Sequence, residues 1–327
     1  MSETDREQDD PHSSAAALAI GSVSLRLYRH ELPARELIDE LCQQASLAVE
    51  SGFDGVMTNE HHGGFPTYLP NPTQVAGFAL ASMRRGWAAP CPLLLPLKHW
   101  SHVAEDLAWL SARYPGRVGA GFAVGGLDLD FELADLPWKE RWTRFRTALP
   151  SVVDALSGRC EGELASDPAI AACTNQPLPM VMAAQGERSA KLGAGLGLGL
   201  IYDSLQPPES IGQLSKLYRS EGGTGRLVLI RRVWLGPPPD RAAESQVAFY
   251  KSFASQQAQS TWVSDELMTE DSPELLAERL VEAVEAAQSD ALNLRLHAQG
   301  VGPAAIRAQI ETIGREVIPR LRAAWRA

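Results

Sequence analysis

Short apolar or β-branched runs alternate along this chain with longer stretches whose apolar residues recur every three or four positions. The first long stretch, Ala34 to Ser51, sets Leu37, Leu41, Ala45 and Ala48 on one face and stops at Gly52, which predicts an amphipathic helix ended by glycine. The run LAIGSVSLRL from Leu18 reads as the strand before it. The same grammar predicts strands at Asp54–Thr58, Leu93–Leu95, Arg117–Val124, Met180–Ala183, Leu198–Ile201, Leu227–Leu235 and Ala291–Leu296. Helices are predicted at Pro72–Met83, with Asn71 as N-cap and Pro72 as first residue, and at Ser101–Ala112, with Ser101 as cap. Two more are predicted at Trp138–Leu156 and from about Pro303 to Ala324, while Ser157 to Pro179 reads as irregular. About eight strands, each followed by a helix, predict an α/β chain closed as a single (β/α)8 TIM barrel. Residues 1–17 lack periodic apolar positions and read as a disordered N-terminal tail, leaving 18–327 as one domain. The proline run GPPPD opens a polar insertion, about 236–271, before the penultimate helix. In a barrel it leaves the C-terminal end of a strand, as a lid would.

Composition narrows the partners. With 327 residues, 45% of them hydrophobic and 21% charged, the chain has material for a large core. Its net charge is −10 and its basic residues are scattered, which argues against nucleic acid or an anionic membrane and leaves a small molecule as the partner. The opening MSETDREQDD is acidic where a secretory signal is basic and then apolar, and no apolar run is long enough to span a bilayer, so the expected location is cytoplasmic. Cys42, Cys91, Cys160 and Cys173 form no C-x-x-C pair and no ligand spacing, so neither zinc nor a disulfide framework is expected.

The chemistry begins at Glu60-His61-His62, directly after a predicted strand and therefore at the catalytic rim of a barrel. Such a run serves as metal ligands, as a general base with an orienting carboxylate, or as a polar strand end; metal is the weakest reading, because adjacent residues rarely point at one ion. GRVGAGFAVGG spaces its glycines G-x-G-x-x-x-G and does not directly open a helix, which argues against a dinucleotide loop and reads as a buried strand with a turn at Gly125-Gly126. VMAAQGERS runs from a strand into a helix starting near Gly186, offering backbone N–H groups and a positive helix end to an anion. Asn293, Arg295 and His297 share one face of a late strand, as lining of the barrel mouth or as a buried polar cluster.

Taken in order, GFDGVMTNEHHGGF, YLPNPTQVAGFALA, PLLLPLKHWSHVAEDLAWL and GRVGAGFAVGG between Gly52 and Gly126 resemble the first half of the bacterial-luciferase-like flavin monooxygenases. The resemblance implies an oxidoreductase in which reduced FMN and O2 form a C4a-peroxyflavin that oxygenates an organic substrate. It places His61 beside the flavin as catalytic base or proton relay, with His62 and Glu60 supporting it. It places a cis peptide at Cys91-Pro92 under the flavin ring, and the flavin phosphate near Gln185, Gly186, Ser189 and Arg188, with Gly125 in the turn nearby. The arginine and cysteine that the luciferases carry at that turn are Val124 and Ala123 here. Phe65, Tyr68, His99, Trp100 and His297 are the expected substrate contacts of a largely apolar pocket, although Trp100 stands where the family usually has proline. A separate flavin reductase and a homodimer are implied partners. Two alternatives stay open: a deazaflavin (F420)-dependent oxidoreductase on the same fold, and a non-catalytic flavin-binding or partner subunit.

Overall fold

The computed structural model describes residues 16–239, 267–298 and 300–325. Residues 1–15 of the expected tail and 240–266 of the expected insertion lie outside them. Among the described residues ten strands pair in parallel: β1 (Val23–Arg26), β2 (Gly55–Thr58), β3 (Trp87–Pro90), β4 (Leu93–Leu94), β5 (Ala120–Ala123), β6 (Met180–Ala183), β7 (Gly199–Tyr202), β8 (Leu227–Leu235), β9 (Leu267–Glu270) and β10 (Ala291–Arg295). β3 pairs with β2, β4 pairs with β5, and Ala88 bridges to Val118 just ahead of β5. β3 and β4 are thus two halves of one barrel strand, and the ladder closes on itself. β9 pairs only with β8, so eight positions go round the barrel.

Helices cover the outside: α1 (Ala34–Ser51), α2 (Pro72–Ser82), α3 (Trp100–Arg113), α4 (Asp128–Glu132), α5 (Arg141–Leu156), α6 (Pro168–Ala172), α7 (Glu187–Gly195), α8 (Pro208–Ser220), α9 (Pro273–Ala287), α10 (Pro303–Thr312) and α11 (Ile318–Ala324). α1 buries Leu37, Leu41, Ala45 and Ala48, the face set by its periodicity, and ends where Gly52 takes φ +125° and returns its N–H to Ala48. α2 starts on Asn71, whose side chain accepts from the Gln74 N–H.

The apolar residues fall into two layers. One lies between strands and helices; the other, containing Ala17, Leu18, Met57, Trp87, Ala89, Cys91, Val181, Ile201, Val228 and Ala291, fills the barrel. Two glycines make that interior possible. A Cβ on Gly55 would lie 2.3 Å from the Trp87 ring, and one on Gly121 would lie 2.1 Å from Cys91 Sγ.

The structure departs from the sequence reading at several ends. Leu18–Ser22 is a turn rather than a strand, and Ala17 and Leu18 are buried in the barrel interior, so the fold begins earlier than its apolar pattern. The third barrel strand starts at Trp87: after the tryptophan its residues are two alanines and a proline, followed by the cis Cys91–Pro92 peptide, and these hide the β signal. α3 begins at Trp100 with His99 as N-cap, not Ser101. Trp138–Glu140 is a 3-10 turn ahead of α5. The final helical stretch is broken by a π-helical turn at Ile313–Val317. The insertion ends in a strand, β9, whose Glu270 carbonyl accepts from Gly236 N–H, so its two ends meet at the end of β8.

Candidate active site

Because every barrel strand is parallel, all C-terminal ends face one way, and there a cavity of about 360 Å³ opens. Leu94, Ala123, Ala183, Ile201 and Ile230 give it apolar walls, whereas Arg26, Arg141 and Arg295 supply positive charge and Glu60 and Asp203 negative charge. The small side chains on β5 and β6 leave the room.

The segment after β2 carries the chemistry. His61 is tied back to Leu69 through its backbone N–H, and its ring lies against Phe65 and Tyr68 at centroid distances of 5.0 and 4.5 Å. Its Nδ1 is 2.7 Å from Oδ2 of Asp130 on α4, and Oδ1 of the same carboxylate accepts from the His62 backbone N–H at 2.8 Å. Asp130 is 1% exposed, so its charge is met by these two donors and by little water. A carboxylate at Nδ1 fixes the neutral ring as the Nδ1–H tautomer, leaving Nε2 as the acceptor. The ring lines the cavity, an arrangement with the geometry that a general base requires.

Glu60 forms a second unit. One oxygen accepts from Lys98 Nζ at 3.0 Å and lies 3.1 Å from His62 Nε2, while the other accepts from Leu94 N–H at 2.7 Å. Burial alone would raise its pKa, but His62, Lys98 and the Leu94 amide outweigh burial and hold it below the usual carboxylate range. The hydrogen bond to Glu60 in turn raises His62 above the ordinary imidazole value, against the opposing effect of burial. Glu60 therefore fixes the strand end on which the His61 loop is built.

All the expected cofactor residues except Arg188 lie on or next to the cavity wall. Pro92, Gly125, Gln185 and Ser189 line it. Cys91 is buried behind Gly121, its thiol pushed up to about 12, chiefly by burial. Gly186 is the N-cap residue of α7, and Arg188 is exposed and outside the lining. Val124 and Ala123 also line the cavity.

Of the five expected substrate residues only Tyr68 lines the cavity; Phe65, His99, Trp100 and His297 do not. Phe65 is buried against the His61 ring. His99 turns back to cap α3 through Ser101, and Trp100 packs on the layer between strands and helices. His297 is stacked on Tyr28 at 5.3 Å, its pKa well below 6.5 because of burial and then the charges of Arg295, His30 and Arg232. Of its two strand companions, Arg295 lines the cavity and Asn293 hydrogen-bonds Arg26.

Sequence reasoning missed Asp130, Arg26, Tyr28, Trp138, Arg141 and Asp203. For Arg26 and Tyr28 a signal existed: in SVSLRLY the residues Ser24, Arg26 and Tyr28 alternate with Val23, Leu25 and Leu27, which places them on one face. For Asp130, between Leu129 and Phe131 and 69 residues from its partner His61, no local pattern marks the role.

Fold and site together define a parallel β/α barrel with a carboxylate-oriented histidine on a cavity at the strand ends. The luciferase-like monooxygenase family model matches residues 20–318, and the chain belongs to that family. Its structure is similar to that of monooxygenase RslO1 from Streptomyces bottropensis (TM-score 0.73, 18% identity, covering 91% of this chain and 99% of that one). It is also similar to the FMN-bound oxygenating constituent of 3,6-diketocamphane monooxygenase from the CAM plasmid of Pseudomonas putida (0.70, 16%, 93% and 99%). A third similar structure is an F420-dependent secondary alcohol dehydrogenase in complex with an F420-acetone adduct (0.68, 16%, 92% and 98%). At these identities the structures establish the fold. No curated protein sequence matches the chain. Among the described residues no helix is long and apolar enough to cross a membrane, and no cluster of His, Cys, Asp and Glu could hold a metal.

Proposed function

We propose that the protein is a flavin-dependent monooxygenase that uses reduced FMN and O2 to oxygenate a small organic substrate, with His61 as the proton-transferring residue. The observation that carries this reading is the Asp130–His61 pair opening onto the cavity at the C-terminal ends of the barrel strands.

The residues present suit a flavin. Gly125, Gly126, Ala123 and Ala183 keep one side of the cavity low, and a Cβ on Gly126 would meet nothing within 4 Å. For a phosphate, α7 offers its positive end: Ser189 and Ala190 N–H close on the Gly186 carbonyl, so the amides of Glu187 and Arg188 precede the first helical bond, with the Ser189 side chain beside them. Bound there, reduced FMN would supply the electrons that activate O2. His61 Nε2 would take or return the proton at the reacting oxygen, Asp130 would hold the ring in the required tautomer, and the walls from Leu94 to Ile230 would exclude water. In this reading reduced flavin comes from a separate reductase, and the enzyme is a cytoplasmic homodimer.

Val124 gives a second reading its footing. Without an arginine at that turn the cofactor can instead be a deazaflavin (F420), and His61 Nε2 would then accept the hydroxyl proton of an alcohol during hydride transfer. Anaerobic titration with reduced FMN and, separately, with reduced F420, followed by admission of air, decides between them. Saturable FMN binding with flavin reoxidation altered by His61→Gln supports the monooxygenase. Binding of F420 alone supports the dehydrogenase. Binding of neither leaves the non-catalytic subunit.

A further inference from the structure

Arg26, at the C-terminal end of β1, is 5% exposed inside the barrel and lines the cavity. Two of its nitrogens are committed: Nε donates to Asn293 Oδ1 at 2.7 Å, and Nη1 donates to the Cys91 carbonyl at 3.0 Å. Asn293 is itself held by Ser24, its Nδ2 donating to the Oγ at 2.8 Å, so the guanidinium is fixed in place. Nη2 is buried and has no hydrogen-bond partner. Among the described residues no carboxylate pairs with Arg26, and the cavity's two carboxylates are engaged elsewhere: Glu60 with Lys98, His62 and Leu94, Asp203 with Gln185 and the Leu205 amide. Arg295, 4.4 Å over the Tyr28 ring, brings a second guanidinium to the same cavity.

An arginine buried without a counter-ion is costly, and a buried donor left unmade adds to that cost. A ligand that brings an anionic oxygen to Nη2 removes both penalties. We propose that Arg26 is the receptor for an anionic oxygen of a bound ligand, a carboxylate or a ring oxyanion, so that the ligand is an amphipathic organic acid rather than a neutral hydrocarbon-like molecule. The apolar walls take its body, and Arg26, preset by Asn293 and the Cys91 carbonyl, takes its charged end. The inference rests on the reading above only in taking this cavity as the substrate chamber. The same oxygen chemistry exists on the pyrimidine edge of a reduced flavin, so the test separates the two sources.

The test uses the full chain without flavin, calorimetric titration with 2-naphthoate and with uncharged 2-naphthalenemethanol, and a separate anaerobic titration with reduced FMN. The native protein is expected to bind naphthoate at least about tenfold more tightly than the alcohol, the scale of one charge-assisted hydrogen bond. Arg26→Met is expected to lose that preference while binding the alcohol unchanged, and Arg26→Lys to restore part of it. Naphthoate should raise the thermal midpoint of the native protein and not that of Arg26→Met, a ligand-dependent readout that a purely structural brace would not produce. Loss of naphthoate binding with FMN affinity intact assigns the oxygen to a substrate; loss of FMN affinity with naphthoate indifferent assigns it to the flavin. Failure of the flavin reading leaves the naphthoate comparison intact. If no binding depends on Arg26, the proposal is overturned.

Discussion

Replacing Asp130 by asparagine tests the site at its least exposed point. The carboxylate accepts two hydrogen bonds, from the His61 ring at 2.7 Å and from the His62 amide at 2.8 Å, and it is 1% exposed. An asparagine has one acceptor oxygen and one donor nitrogen on that side chain. If its oxygen serves the His62 amide, its NH2 faces His61 and forces Nδ1 to become an acceptor, which puts the proton on Nε2 and removes the base. If it is flipped, NH2 meets the His62 N–H and that donor is stranded. One charge-assisted bond is lost in either case, about 1.5–3 kcal/mol, while Asp130→Ala loses both and should cost roughly 3–5 kcal/mol. Urea unfolding gives the stability, and 15N chemical shifts of the His61 ring, assigned with His61→Gln, give the tautomer. Where turnover can be followed, a general-base role places the rate loss at about 10²–10⁴-fold. Asp130→Ala unfolding within about 0.5 kcal/mol of the native protein, the range of an ordinary surface change, with the tautomer unaltered, would refute the oriented base.

Three further outcomes follow from the same geometry. Glu60 is held below its ordinary 4.5 and His62 above its ordinary 6.5, so Glu60 contributes stability present above 4.5 and lost as pH falls below it, whereas His62 contributes stability present below 6.5 and lost as pH rises beyond it. Glu60→Gln should flatten both slopes in urea unfolding measured across pH, and an unchanged profile would show that the pair is not coupled to folding. Gly121→Ala, whose Cβ would sit 2.1 Å from the buried Cys91 Sγ, should lower stability by about 1–3 kcal/mol, as overpacking does, and a neutral result in thermal unfolding would mean the interior has slack. Cys91, its thiol pushed up to about 12 and fully buried, should resist iodoacetamide in the native protein and react only on unfolding; labelling under native conditions, read by mass spectrometry, would contradict that burial.

The sequence by itself determined the barrel. Apolar spacing in α1, the cap at Asn71 and the strand runs of β5, β6, β7, β8 and β10 are local properties, and eight repeats of strand and helix leave few other ways to bury the apolar faces. It also marked the rim position of Glu60-His61-His62, because a polar triplet right after a strand is visible within a few residues. Only the tertiary structure decided what those residues do. Asp130 reaches His61 across 69 positions, Asn293 reaches Arg26 across 267, and Ala17 and Leu18 join the interior core with no periodicity of their own. His99 and His297 show the converse: each sits in a motif that looked functional, and local capping for one and aromatic stacking for the other turn them from the cavity. Hydrogen-bond partners distant in the chain are set by closure of the ladder, which no local pattern encodes, and the chemistry of this chamber depends on those partners.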